Sequence, residues 1–242
     1  MSTRSMVCGL AALAVTGLMA FSASAAAISV NFIGGKTTLL SATDAAGVVP
    51  VANWNNVSGS NSGGAAIPFA TLKDDSGTNV AGTGGGHYSN AEWAISTDPV
   101  DTPDKKLFKG YVDCISDTPT SVTVTGIPYD KYDVYVYFDG DNGAETRDAY
   151  YTVNGGTPAL YTDAANAQFN GTFVDAAING TGNYFKVSDL SGNFSLTAAL
   201  GITGGVKRAP VNGFQIIAVP EPASLGLLGL SSLVMLRRRR PV

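Results

Sequence analysis

Apolar and polar positions alternate with a period of two at many points along this chain, and no amphipathic helical pattern competes with them. The clearest run is Tyr132-Asp133-Val134-Tyr135-Val136-Tyr137-Phe138, dense in β-branched and aromatic residues, which predicts a strand with one face on a core. Ser121-Val122-Thr123-Val124-Thr125 precedes it, joined by Gly126-Ile127-Pro128-Tyr129-Asp130, and Asp139-Gly140-Asp141-Asn142-Gly143 follows as two turn-forming dipeptides in succession. Further strands are predicted at residues 28–33, 67–72, 107–112, 149–153, 183–187, 194–198 and 211–217, nearly all separated by Gly or Asn clusters. About ten short strands punctuated in this way predict an all-β fold, an antiparallel β-sandwich. No repeat of fixed period interrupts the pattern.

Composition agrees with short strands and tight turns. Of 242 residues, 29 are Gly, and only 14% are charged; Gly and Asn accept positive φ, and Thr suits a pleated surface. A hydrophobic share of 45% argues against disorder. Between residues 26 and 219 there are ten basic and eighteen acidic residues, so the body is acidic. Such a body repels phosphate, which excludes nucleic acid as a natural partner. Cys8 lies in the first segment, leaving Cys114 alone in the body, too few for an intramolecular disulfide or a Cys-based zinc framework. Cys114 is expected as a small buried hydrophobe.

Both ends of the chain read as addresses. Residues 1–25 have the form of a secretory signal peptide: Arg4 as a positive n-region, an apolar stretch at 9–21, and the small-residue cleavage site Ala23-Ser24-Ala25. At the other end Pro220-Glu221-Pro222 is a stiff extended element, since each Pro fixes its own φ and restricts its predecessor. An apolar stretch at 223–236 then predicts a short transmembrane helix, and Arg237, Arg238, Arg239 and Arg240 hold its end on the cytoplasmic side. The domains expected are therefore a signal peptide (1–25), a β-sandwich (26–219) and a sorting segment (220–242).

The Pro-Glu-Pro triplet, apolar stretch and Arg cluster, in that order, closely resemble the PEP-CTERM sorting signal of Gram-negative bacteria. That resemblance implies recognition by an exosortase, a membrane transpeptidase, transient residence in the inner membrane, and delivery to the cell surface or extracellular matrix, commonly alongside exopolysaccharide. The opening Ser29-Val30-Asn31-Phe32, the Tyr-rich strand and the closing Asn212-Gly213-Phe214-Gln215-Ile216-Ile217 resemble the galactose-binding-like jelly rolls, which include malectin-like and many carbohydrate-binding modules. This implies adjacent first and last strands.

The search for catalytic chemistry returns mostly absences. His87 is the sole histidine, within Gly84-Gly85-Gly86-His87-Tyr88, and is expected in a loop. There is no G-x-S-x-G elbow, phosphate loop or dinucleotide fingerprint, so the body is read as non-enzymatic, with exopolysaccharide or another glycan as its partner. A polysaccharide hydrolase on the same fold and a structural or adhesive module are the alternatives. The candidate ligand residues form two clusters. In the segment from Asp139 to Arg147, Asp139 and Asp141 could accept Ca²⁺. Alternatively Asp139, Asn142 and Arg147 could meet sugar hydroxyls, or the segment could be a solvated hairpin turn. Trp54 beside Asn55 could stack on a sugar face, against the commoner fate of a core Trp; Trp93 is expected in the core. Lys207-Arg208 is either a loop-end charge pair or a contact for an acidic glycan.

Overall fold

The computed structural model describes residues 26–35, 39–60, 65–95, 102–166, 168–204 and 207–220. The signal segment and the sorting segment from Glu221 onward, including the predicted membrane helix and arginines 237–240, lie outside the described residues. Among the described residues no helix is long and apolar enough to cross a membrane.

The strands in chain order are β1 (Ala27–Phe32), β2 (Asn55–Val57), β3 (Ile67–Pro68), β4 (Gly84–Tyr88), β5 (Ala91–Ala94), β6 (Gly110–Asp113), β7 (Thr120–Thr125), β8 (Tyr132–Tyr137), β9 (Arg147–Val153), β10 (Ala159–Asp163), β11 (Thr181–Gly182), β12 (Tyr184–Leu190), β13 (Phe194–Gly204) and β14 (Gly213–Ala218). They form a five-stranded sheet, β12-β8-β14-β1-β2, a seven-stranded sheet, β11-β10-β9-β13-β7-β4-β3, and a ribbon of β5 and β6. The fold is thus the β-sandwich that the alternation predicts, of the jelly-roll kind that the resemblance implies, with β14 central in the five-stranded sheet and antiparallel to β1. Pairing is not wholly antiparallel, because β1–β2 and β10–β11 run parallel.

Alternation in β8 explains how the sheets meet. Tyr132, Val134, Val136 and, just past the strand, Phe138 are fully buried in the cluster between the sheets, with Phe214 and Ile216 of β14 and Val122 and Val124 of β7. Tyr137 points the other way and is buried as well, under the segment carrying Leu40, Ala46, Val51 and Trp54. Its hydroxyl donates to Gln215 Oε1 and accepts from Val48 N at 2.8 Å. That cover is why every residue of β1 is buried although only one face meets the other sheet.

Two short helices were not predicted. In α1 (Pro103–Leu107) Thr102 caps the Lys105 N–H and Pro stands at the first position; in α2 (Ala176–Asn179) Asp175 accepts from the Ala177 N–H. The termini of the described fold meet at one pole, where Ala218 N donates to Ala26 O at 2.8 Å and Val219 N to Lys131 O at 3.0 Å. The end of β8, the start of β9, the end of β10 and the approach to β14 meet at the other.

Candidate functional site

Asn212, immediately before β14, ties this second pole together. Its side-chain amide donates to the Asp139 and Gly110 carbonyls, both at 3.0 Å, and to Phe108 O at 3.3 Å, while its Oδ1 accepts from Asp139 N at 2.6 Å. Its backbone joins Tyr137 and Phe32. All of these groups are buried, so each bond satisfies a polar atom that would otherwise be costly.

Asp139 and Asp163 are both 1% exposed. Burial, then the neighbouring Asp139 charge, pushes the Asp163 carboxyl well above the usual carboxylate range, against the Gly140 N–H and the Arg147 guanidinium. The Gly140 N–H donates to Asp163 Oδ2 at 2.9 Å. A Cβ on Gly140 would stand 2.3 Å from Arg147 Nη1, so only glycine lets that guanidinium lie against the chain here. Arg147 Nη2 donates to the Asp141 carbonyl at 2.5 Å, and the Asp141 N–H donates to the Tyr111 hydroxyl at 3.2 Å. Asp113, fully buried in β6, accepts from Ala209 N at 3.0 Å and stands 3.5 Å from Arg208 Nε. Burial raises its pKa to about 6.

Above these groups lies a cleft of about 210 Å³, lined by Trp93, Ala94, Tyr111, Asp141, Arg147 and Arg208. Trp93 of β5, paired with Tyr111 of β6, keeps 49% of its surface exposed. An exposed indole beside two guanidinium groups, a carboxylate and a tyrosine combines a flat apolar face with hydrogen-bonding groups around it. That is the equipment for gripping a sugar ring or another flat, hydroxylated ligand.

The structure brings Asp139, Asp141, Asn142 and Arg147 together at this pole, but not as a solvated hairpin. Strands β8 and β9 belong to different sheets, so residues 138–146 form a crossover, and Asp139, Asn142 and Arg147 are buried while Asp141 is exposed. This also corrects the Ca²⁺ expectation at Asp139 and Asp141, since one carboxylate is sequestered and the other faces solvent. No group of three or more His, Cys, Asp or Glu among the described residues is placed to hold a metal.

Trp54 and Asn55 are corrected too. Trp54 is 5% exposed, its indole N–H donates to Val51 O at 2.9 Å, and its ring lies 6.1 Å from that of Tyr137, so it offers no face to a ligand. The Asn55 amide is spent on Ser29 O, Lys73 O and Lys73 N. The exposed tryptophan is instead Trp93, which had been expected in the core. His87 is no loop residue: it is 1% exposed in β4, its ring 5.0 Å from that of Phe32 and 5.9 Å from that of Phe69. Cys114 is buried as expected, its thiol directed at Ser116 O. Asp113, Asp163 and Asn212 went unnoticed in the sequence, where nothing distinguishes them from other turn-flanking polar residues.

Fold and cleft together define a jelly-roll sandwich with an aromatic and guanidinium-lined site at one pole. Residues 218–240 match the PEP-CTERM protein-sorting motif, so the chain carries the sorting signal of an exported, surface-directed bacterial protein, which implies exosortase processing. No curated protein matches the chain in sequence. Solved structures similar to it include the exo-β-1,3-galactanase of Phanerochaete chrysosporium, at 17% identity over 55% of this chain and 27% of that one, with a TM-score of 0.33. Others are the CBM35 of Cellvibrio japonicus Abf62 (10% identity, 46% and 75% covered, TM-score 0.31) and the plant receptor-like kinase ANX2 (13%, 81% and 50%, TM-score 0.42). The chain spans about a quarter of the galactanase's length. Similarity of this degree says nothing about ligand or activity.

Proposed function

We propose that this is a surface or extracellular-matrix protein of a Gram-negative bacterium, and that its sandwich binds carbohydrate, the cell's own exopolysaccharide in particular, without turning it over. The half-exposed Trp93 on the wall of the polar cleft carries this reading. Its indole stacks on a sugar face while Arg147, Arg208, Asp141 and the Tyr111 hydroxyl take the ring's hydroxyls. A non-catalytic role is supported by the disposition of the acids. Glycoside hydrolysis needs two carboxyl groups facing each other across the bond, whereas among the described residues that line the cleft Asp141 brings one carboxylate.

Trp93→Ala tests the reading. It is expected to cut affinity for a bound polysaccharide on the order of ten-fold, about 1.4 kcal/mol, with little change in melting temperature, because half of the side chain is already in water. Trp54→Ala is expected to do the reverse, costing about 3–5 kcal/mol of stability as a buried aromatic. Affinity unchanged by Trp93→Ala would remove the cleft from the account. Reducing sugar released from a polysaccharide panel would replace a binding protein with a hydrolase, and silence towards every glycan would leave a structural or adhesive module.

A further inference from the structure

We infer that the cleft selects a sugar bearing an anionic group, a carboxylate or a sulfate, and that Arg147 and Arg208 form the anion-binding part of the site. The inference rests on carbohydrate being the occupant. Its first support is the placement of the arginines. Of the ten basic residues between residues 26 and 219, eight are lysine and two are arginine, and both arginines line this cleft. They arrive from separate elements, Arg147 at the start of β9 and Arg208 from the segment leading to β14. A neutral sugar is served as well by amides and hydroxyls. Guanidinium groups are a usual means of holding carboxylate or sulfate oxygens, because they stay charged and their N–H groups donate charge-assisted hydrogen bonds.

The setting keeps both groups in position. Arg147 is 7% exposed, lies against Gly140 and is anchored through Nη2 to the Asp141 carbonyl. Arg208 meets the buried Asp113 through its Nε edge and retains 29% side-chain exposure. An ordered guanidinium loses less entropy on gripping a ligand than a free surface lysine does. The surrounding body is acidic, so a polyanion gains nothing from the protein at large and must be captured at a local site.

The test titrates the full chain in detergent with an oligogalacturonate and with the same oligosaccharide after its carboxylates are reduced to alcohols, at low and high salt. A sulfated galactan and its desulfated form make the second pair. The expected result is at least ten-fold tighter binding of one charged form over its neutral counterpart, diminishing with salt. Whichever pair shows the preference identifies the anion. Arg208→Gln should lower affinity for the charged form at least ten-fold more than for the neutral one, and so remove the preference, whereas Trp93→Ala should weaken both forms alike and leave the preference in place. Equal affinity for charged and neutral forms overturns the anionic inference and leaves carbohydrate binding intact. Binding of no glycan, charged or neutral, overturns both.

Discussion

His87 and Asp113 pull stability in opposite directions with pH. Burial between Phe32 and Phe69 lowers the His87 pKa to about 4, against 6.5 for the free side chain. The folded state therefore binds fewer protons than the unfolded one, and stability present above pH 6.5 is lost as pH falls towards 4, by about 3 kcal/mol. Asp113 is shifted up, from 3.8 to about 6, chiefly by burial. Its folded form keeps a proton that the unfolded chain has released, so stability is lost as pH rises from 3.8 to 6, again by about 3 kcal/mol. Between pH 4 and 6 the two slopes nearly cancel in the wild type. His87→Leu removes one of them, and its urea-unfolding free energy is expected to rise as pH falls from 6.5 to 4, steepened by the raised Asp163. A variant whose pH dependence matched that of the wild type would show that the imidazole is not held neutral by the core.

At the scale of elements, the same side-chain types carry different loads according to what they pack against, and this decides what the sequence reveals. Strands β1, β7, β8, β9 and β14 are legible because β-branched and aromatic residues fall on the core face of a period-two pattern. Strand β4 is not, because Gly84-Gly85-Gly86 reads as a turn. In the fold a Cβ on Gly85 would come within 2.0 Å of Thr123 O, and one on Gly86 within 2.4 Å of Ile67 O, so these glycines admit neighbouring strands rather than reverse the chain. Trp54 and Trp93 could not be told apart, since both sit beside polar residues and burial depends on which segment later covers them. The chemistry of residues 139–147 was visible as a cluster of Asp, Asn and Arg. Its acidic partner Asp163 was not, because it arrives through the β9–β10 pairing opposite Arg147. Asn212 shows how much rests on such tertiary joins. Asn212→Ala is expected to cost about 3 kcal/mol, since the Asp139 N–H and three carbonyls lose their partner inside the protein. It should also weaken glycan affinity by loosening the crossover beneath Arg147. A melting temperature within a degree or two of the wild type would contradict this, and calorimetric melting decides it.

On the scale of the whole molecule, the cleft and the ends of the described chain lie at opposite poles of the sandwich. Strand β14 runs from the pole that carries the cleft to the pole where Ala26 and Ala218 are hydrogen-bonded, a six-residue strand of about 20 Å. Val219 alone separates it from Pro220, where the Pro-Glu-Pro triplet begins. An anchor following Pro220 would leave the cleft at the far end of the sandwich, so membrane attachment and the proposed ligand capture would not compete for the same surface. The last strand ends at Ala218, before the triplet begins, and replacement of the triplet should therefore change sorting without changing folding. With Pro220, Glu221 and Pro222 all replaced by Ala, the chain is expected to accumulate uncleaved in the membrane fraction, heavier than the processed form by the mass of the tail. Its sandwich should melt at the wild-type temperature and bind glycan with wild-type affinity. Neutral residues at Arg237, Arg238, Arg239 and Arg240 should instead weaken retention of the precursor at the membrane step, because the charges that hold the tail on the cytoplasmic side are gone. Mass spectrometry of the cell-surface fraction separates the outcomes. An identical mature C-terminus from the triple-alanine chain would show that the exosortase does not read this triplet, whatever else in residues 218–240 it requires.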